Sequence, residues 1–151
     1  IIAVDVSEEK LRIASEVGAD DCVKAGEDAA DAIGEITKGR GVELVVDMVG
    51  SDDSLALSAA IAKFESHLTI VGLHGGKFEF AFGAVPFEAQ LCIPYWGTAV
   101  ELMECLDLAR QGKIHAHLEH FSLDDAPKAY EKMRAGELDG RAVICPNGMS
   151  S

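Results

Sequence analysis

Short apolar runs alternate with helical stretches along this chain, and that alternation limits the possible folds more than any other feature. Ile1-Ile2-Ala3-Val4-Asp5 precedes a helix that Ser7 can cap, with Glu8 and Glu9 in its first turn and Gly18 at its end. Asp21-Cys22-Val23 reads as a second strand. Residues 27–38 then place Ala29, Ala30, Ile33 and Ile36 at helical spacing before Gly39. Val42-Glu43-Leu44-Val45-Val46-Asp47 is apolar enough to be a buried central strand, and Leu68-Thr69-Ile70-Val71-Gly72 another, with a helix over 52–64 between them. Repetition of this kind predicts βα units around a parallel sheet.

The next strand, Leu91-Cys92-Ile93-Pro94-Tyr95, should be an edge or irregular at Pro94, which has no N–H for a ladder. Thr98 and Glu101 form a capping box that opens a helix with Leu102, Met103, Leu106 and Ala109 facing inward and Gly112 at its end. After Ile114 the order changes. A strand over 118–121 leads into a helix capped by Ser122 and closed by Gly136, and a last strand covers 142–145.

With 151 residues, the chain can bury a core of its own, and 48% hydrophobic against 26% charged residues is a globular balance. A net charge of −13 argues against unaided binding to nucleic acid or to an anionic membrane surface. Cys22, Cys92, Cys105 and Cys145 lie far apart with no C-x-x-C pair, which favours reduced thiols and a cytoplasmic setting. No run is long enough to span a membrane, and no leader pattern is visible. His115, His117 and His120 lack a companion at ligand spacing; on a strand His115 and His117 would share one face and His120 the other. No metal ligand is assigned.

A buried apolar strand that ends in a carboxylate is how doubly wound dinucleotide-binding domains hold an adenosine ribose. Val4-Asp5 has that form. The glycine-rich turn that normally precedes it by about 20 residues is not in the sequence. Gly72-Leu73-His74-Gly75-Gly76 follows a strand but leads into an irregular stretch, so it is not read as a phosphate loop.

Seven phrases in order resemble the cofactor-binding half of zinc-dependent medium-chain alcohol dehydrogenases. They are Val4-Asp5 with Lys10; Glu16-Val17-Gly18-Ala19-Asp20; the stretch from Gly41 to Gly50; Ile70-Val71-Gly72; Tyr95-Trp96-Gly97-Thr98; the stretch from Ala109 to Ile114; and Asp139-Gly140-Arg141-Ala142-Val143. The resemblance covers nearly the whole chain. It implies an α/β, Rossmann-type doubly wound parallel sheet that starts after its first strand and glycine-rich turn. Residues 1–113 would be a partial NAD-binding domain, and 114–151 a segment returning to a catalytic domain outside this sequence. A sheet of order 3-2-1-4-5-6 without strand 1 should have a gap at its centre.

The resemblance also implies roles. Asp5 would accept the ribose hydroxyls, with Lys10 beside it, and its charge would repel the 2′-phosphate of NADP, so NAD is the expected cofactor. The alternative is that Asp5 only caps the strand end beside Ser7. Met48, Val49 and Gly50, and Val71, Gly72 and Leu73, would flank the nicotinamide through main-chain groups, unless these are ordinary strand-to-helix turns. Pro94 and Trp96 would complete that clasp. Arg141 would meet the pyrophosphate, or else pair with a surface acid. Ala99 departs from the arginine that many relatives carry there. Zinc, an alcohol or aldehyde substrate and a homodimer or homotetramer are expected of the complete protein, and no dehydrogenase activity of the isolated chain. Rival readings are a zinc-free quinone or enoyl reductase, and a non-catalytic nucleotide-binding or oligomerisation module.

Overall fold

Polar side chains cap the starts of three of the five helices among the described residues, at Ser7, Ser51 and Thr98. In the computed structural model, which describes residues 1–138 and 140–148, strand β1 (Ile2–Asp5) gives way to α1 (Glu8–Glu16) where Ser7 Oγ accepts the Lys10 N–H. A β-region Ncap with a hydroxyl satisfies a donor that the first helical turn leaves open. Then follow β2 (Asp21–Lys24), α2 (Ala29–Ile36), β3 (Val42–Asp47), α3 (Asp52–Ile61), β4 (Ala62–Ile70) and β5 (Gln90–Cys92). Farther along are α4 (Ala99–Arg110), β6 (Leu118–Ser122), α5 (Ala126–Ala135) and β7 (Arg141–Cys145).

The chain divides into two compact units, Ile1–Tyr95 and the part from Trp96 onward. In the first unit β1 pairs with β2, and β3, β4 and β5 form a separate sheet in that order, every pair parallel. No ladder joins β1 to β3, so the described strands of this unit form two sheets rather than one. Their side chains nevertheless meet one apolar cluster. Val23, Ala29 and Ile33 are buried, and Ile2 and Val4 of β1, Val42 of β3, and Leu57 and Ile61 of α3 pack against them. Ile33 is 1% exposed, and full burial of such a side chain is worth about 2–3 kcal/mol.

Several expectations need correction. β3 is not buried on both faces: Leu44 and Val46, which share one face, are 58% and 51% exposed, because nothing among the described residues of this unit covers that face. The helix expected over 52–64 stops at Ile61, and β4 begins directly at Ala62 rather than near Leu68. A register irregularity between Val42 and Leu44, opposite a left-handed Glu65, absorbs the extra residues. β5 ends at Cys92, so Pro94 lies beyond the ladder it could not have joined.

In the second unit β6 and β7 pair in parallel from Leu118↔Arg141 to Ser122↔Cys145. His115 and His117 precede β6 instead of sharing its face. α5 is capped at Asp125, not Ser122; the Ser122 hydroxyl accepts the Asp125 N–H at 3.1 Å and so shapes the turn before the helix. Gly136 closes α5 in the left-handed conformation that glycine adopts without a Cβ penalty. The capping box of Thr98 and Glu101 is present, but Leu102, Met103 and Leu106 do not face inward; Met103 is 66% exposed. α4 has its period without a covering surface among the described residues of its unit.

Candidate functional site: a main-chain clasp after strands β3 and β4

The site begins at the last residue of β3. Asp47 is buried (6% exposed), and its carboxylate closes the turn that follows. Oδ1 accepts the N–H groups of Val49 at 2.8 Å and Gly50 at 2.9 Å, and Oδ2 accepts the Ser54 hydroxyl at 2.8 Å. Ser51 and Ser54 form a reciprocal capping box. The Ser54 N–H donates to Ser51 Oγ at 3.1 Å, and the Ser51 N–H donates to Ser54 Oγ at 2.9 Å. Turn 48–50 and the start of α3 are therefore fixed by one short polar network.

The loop after β4 is zipped to that turn. The Asp47 carbonyl accepts N–H bonds from Val71 at 2.8 Å and Gly72 at 3.0 Å. His74 donates to the Val49 carbonyl at 3.1 Å and Gly76 to the Gly50 carbonyl at 2.8 Å. The Lys77 N–H reaches Asp52 Oδ1 at 2.6 Å. Approach this close excludes side chains at three positions. A Cβ on Gly72 would lie 2.0 Å from the Val49 carbonyl carbon, and one on Gly76 2.3 Å from that of Ser51. A Cβ on Gly50, which also has φ +71, would lie 2.5 Å from the Gly72 oxygen.

Met48, Val49, Gly50, Val71, Gly72 and Leu73 are thus brought together in one clasp. Met48, Val49 and Leu73 turn their side chains outward, Leu73 being 90% exposed. Among the described residues no hydrogen-bond partner is found for the main-chain N–H and C=O of Met48 or of Leu73. The clasp can therefore offer backbone donors and acceptors to a flat polar group while its glycines keep the walls close.

Asp5 ends β1 in the same unit. It is half-buried; Oδ1 accepts the Ser7 N–H at 2.8 Å, and the carbonyl accepts the Ala25 N–H at 2.9 Å. One oxygen thus does cap the strand end, and Oδ2 has no partner among the described residues. Lys24, in register with Asp5 across the strand pair, holds Glu8 with Nζ at 2.8 Å from Oε1. That bond keeps the Glu8 carboxyl below its usual range. Lys10 is exposed on the first turn of α1. Pro94 is exposed past β5; Trp96 and Arg141 belong to the second unit, where Arg141 opens β7 and donates its N–H to the His117 carbonyl at 2.9 Å.

Sequence reasoning missed Asp47, Ser51 and Ser54 as parts of the site. The signal was an acid closing an apolar strand, followed by Ser51-x-x-Ser54, where Ser54 serves in the place a Glu or Gln fills in the commoner capping box. No group of three or more His, Cys, Asp or Glu that could hold a metal ion occurs among the described residues. Nor is any helix among them long and apolar enough to cross a membrane.

Comparison with known proteins agrees with this architecture. An alcohol dehydrogenase structure from Aeropyrum pernix superposes with a TM-score of 0.81 at 37% identity, over 96% of this chain and 42% of that one. An NAD-dependent alcohol dehydrogenase of Sulfolobus acidocaldarius is 31% identical over 95% of this chain and 42% of its own length. A D-arabinose 1-dehydrogenase (NADP(+)) of Saccharolobus solfataricus is 29% identical, over 97% and 42%. The chain thus spans about two fifths of the length of these relatives. The zinc-binding dehydrogenase family model matches residues 1–111, the stretch that holds Asp5 and both halves of the clasp, and the chain belongs to that family.

Proposed function

We infer that this chain supplies the coenzyme-binding part of an NAD-dependent alcohol dehydrogenase. The observation that carries the reading is the glycine-lined main-chain clasp after β3 and β4, in a chain whose β1 ends in a carboxylate. Open α/β sheets bind ligands outside the carboxyl ends of their strands. NAD, when bound, takes a hydride from an alcohol carbon or returns it to an aldehyde. The residues here bind and orient.

Asp5 Oδ2 would accept ribose hydroxyls while Oδ1 stays on the Ser7 N–H, and its negative charge would disfavour a 2′-phosphate. Lys24, the cation next to Asp5 in register, is paired with Glu8 at the surface. Lys10 would sit on the ribose side. The main chain of 48–50 and 71–73 would hold the nicotinamide amide in the orientation that hydride transfer requires. For Pro94, Trp96 and Arg141 the assignment rests on the resemblance alone. Zinc ligands would come from outside the described residues. The proposal includes an alcohol or aldehyde substrate, assembly as a homodimer or homotetramer, and a cytoplasmic location in keeping with four scattered thiols.

The test is coenzyme choice by the full-length gene product with short alcohols. NAD should be turned over far better than NADP. Strong preference for NADP overturns the reading and favours the zinc-free quinone or enoyl reductase alternative.

A further inference from the structure

We propose that Asp47 is a positioning residue for hydride transfer, setting both walls of the clasp through its own hydrogen bonds; this rests on the coenzyme reading above. Five bonds converge on this one residue: two at Oδ1, one at Oδ2 and two at the main-chain oxygen. They run to three different segments. The turn at Val49 and Gly50 is held by Oδ1, the first turn of α3 at Ser54 by Oδ2, and the loop at Val71 and Gly72 by the carbonyl.

Closing a strand would need only part of this. The further bonds matter because Asp47 reaches both walls, the turn at Val49 and Gly50 by its carboxylate and the loop at Val71 and Gly72 by its carbonyl, while Asp52 adds one side-chain bond to the Lys77 N–H. Val49 and Gly50, which Oδ1 orients, are also the residues whose carbonyls accept His74 and Gly76. Rotating the turn therefore rotates the second loop with it. It would also move Met48, the residue between Asp47 and the two N–H groups that its carboxylate holds. Because Gly50, Gly72 and Gly76 leave no slack against backbone atoms, the clasp shifts as a unit rather than adjusting locally.

The experiment uses the full-length gene product and three variants: Asp47→Ala, Asp47→Asn and Ser54→Ala. NADH affinity is read by fluorescence titration and the hydride step by single-turnover rate with a deuterated alcohol. Asp47→Ala leaves the buried Gly50 N–H and the part-buried Val49 N–H without an acceptor, and misplacement near 1 Å costs on the order of 100-fold in rate. The hydride step should fall by about that factor, with a smaller rise in NADH Kd and an isotope effect that grows as the step becomes limiting.

Asp47→Asn keeps Oδ1 on the two N–H groups and turns its amide toward Ser54 Oγ, so it should recover most of the rate. Ser54→Ala keeps the Oδ1 bonds and loses the Oδ2 anchor together with the acceptor of the Ser51 N–H; its rate should fall between those of the other two. A merely structural role would lower thermal stability without this graded change in the isotope effect. An Asp47→Ala hydride rate within twofold of wild type overturns the inference, as does an Asp47→Asn rate no better than that of Asp47→Ala. If Asp47→Ala does not fold, Ser54→Ala and Asp47→Asn decide the matter: wild-type rate in Ser54→Ala overturns it. Wild-type protein that binds no NADH overturns the coenzyme reading and this inference with it, whereas binding with an unaffected hydride step overturns this inference alone.

Discussion

At the end of β1 a single side chain would meet the proposed coenzyme; after β3 and β4 the walls are main chain. Asp5 has one oxygen on the Ser7 N–H and a charge that, in the proposed reading, would select by repulsion. The clasp has outward side chains at Met48, Val49 and Leu73, and three glycines where backbone meets backbone. The first arrangement places specificity in a group that one substitution can change. The second places it in a shape that survives most side-chain changes but not an added Cβ.

The strongest way to break this contrast is Gly72→Ala. Its Cβ would meet the Val49 backbone at 2.0 Å, with no flexible side chain to yield. Denaturant unfolding of the full-length product should show a loss of about 3–5 kcal/mol together with loss of NADH binding. A loss below about 1 kcal/mol would mean that the two loops are not tightly zipped. Next comes Asp5→Asn, which keeps an acceptor for the Ser7 N–H and removes the charge. The ratio of NADP to NAD efficiency should rise by about 10- to 100-fold, matching about 1.4–2.8 kcal/mol, with stability nearly unchanged. An unchanged ratio would reduce Asp5 to a strand-end cap.

Ser66 sharpens the comparison from the core side. Its hydroxyl is fully buried on β4 with no hydrogen-bond partner. Removing an orphaned hydroxyl relieves a cost of about 1–3 kcal/mol, less whatever packing the oxygen contributed. Ser66→Ala should therefore leave stability equal or raised by about 1 kcal/mol in thermal unfolding, and leave coenzyme binding alone. The smallest effect is expected at Leu73→Ala. Only its main chain belongs to the clasp, so stability should move by no more than about 0.5 kcal/mol, with NADH affinity little changed. A large loss of affinity there would show that an apolar wall, and not the backbone, holds the ring.

Much of the fold was legible because its signals are local. Capping by Ser7, the Thr98–Glu101 box and the left-handed Gly136 each involve residues within one turn of each other, so sequence spacing is nearly the geometry itself. The element bounds that slipped, at Ile61–Ala62 and at Cys92, lie where sheet register decides between helix, strand and loop. Burial was the least legible. Leu44, Val46 and Met103 have the patterns of covered residues, yet they are exposed, because a period specifies a face and not the surface that meets it.

The sequence by itself determined the βα alternation, the parallel character of the sheets and the carboxylate at the end of β1. These follow from residue spacing, apolar runs and the acid at position 5. Tertiary structure alone decided that turn 48–50 and loop 71–76 form one object, that Asp47 anchors both, and that Gly50, Gly72 and Gly76 are fixed by backbone contact. Residues more than twenty positions apart carry no local mark of meeting. Only when β3 and β4 pair in register do their following loops come within hydrogen-bond reach.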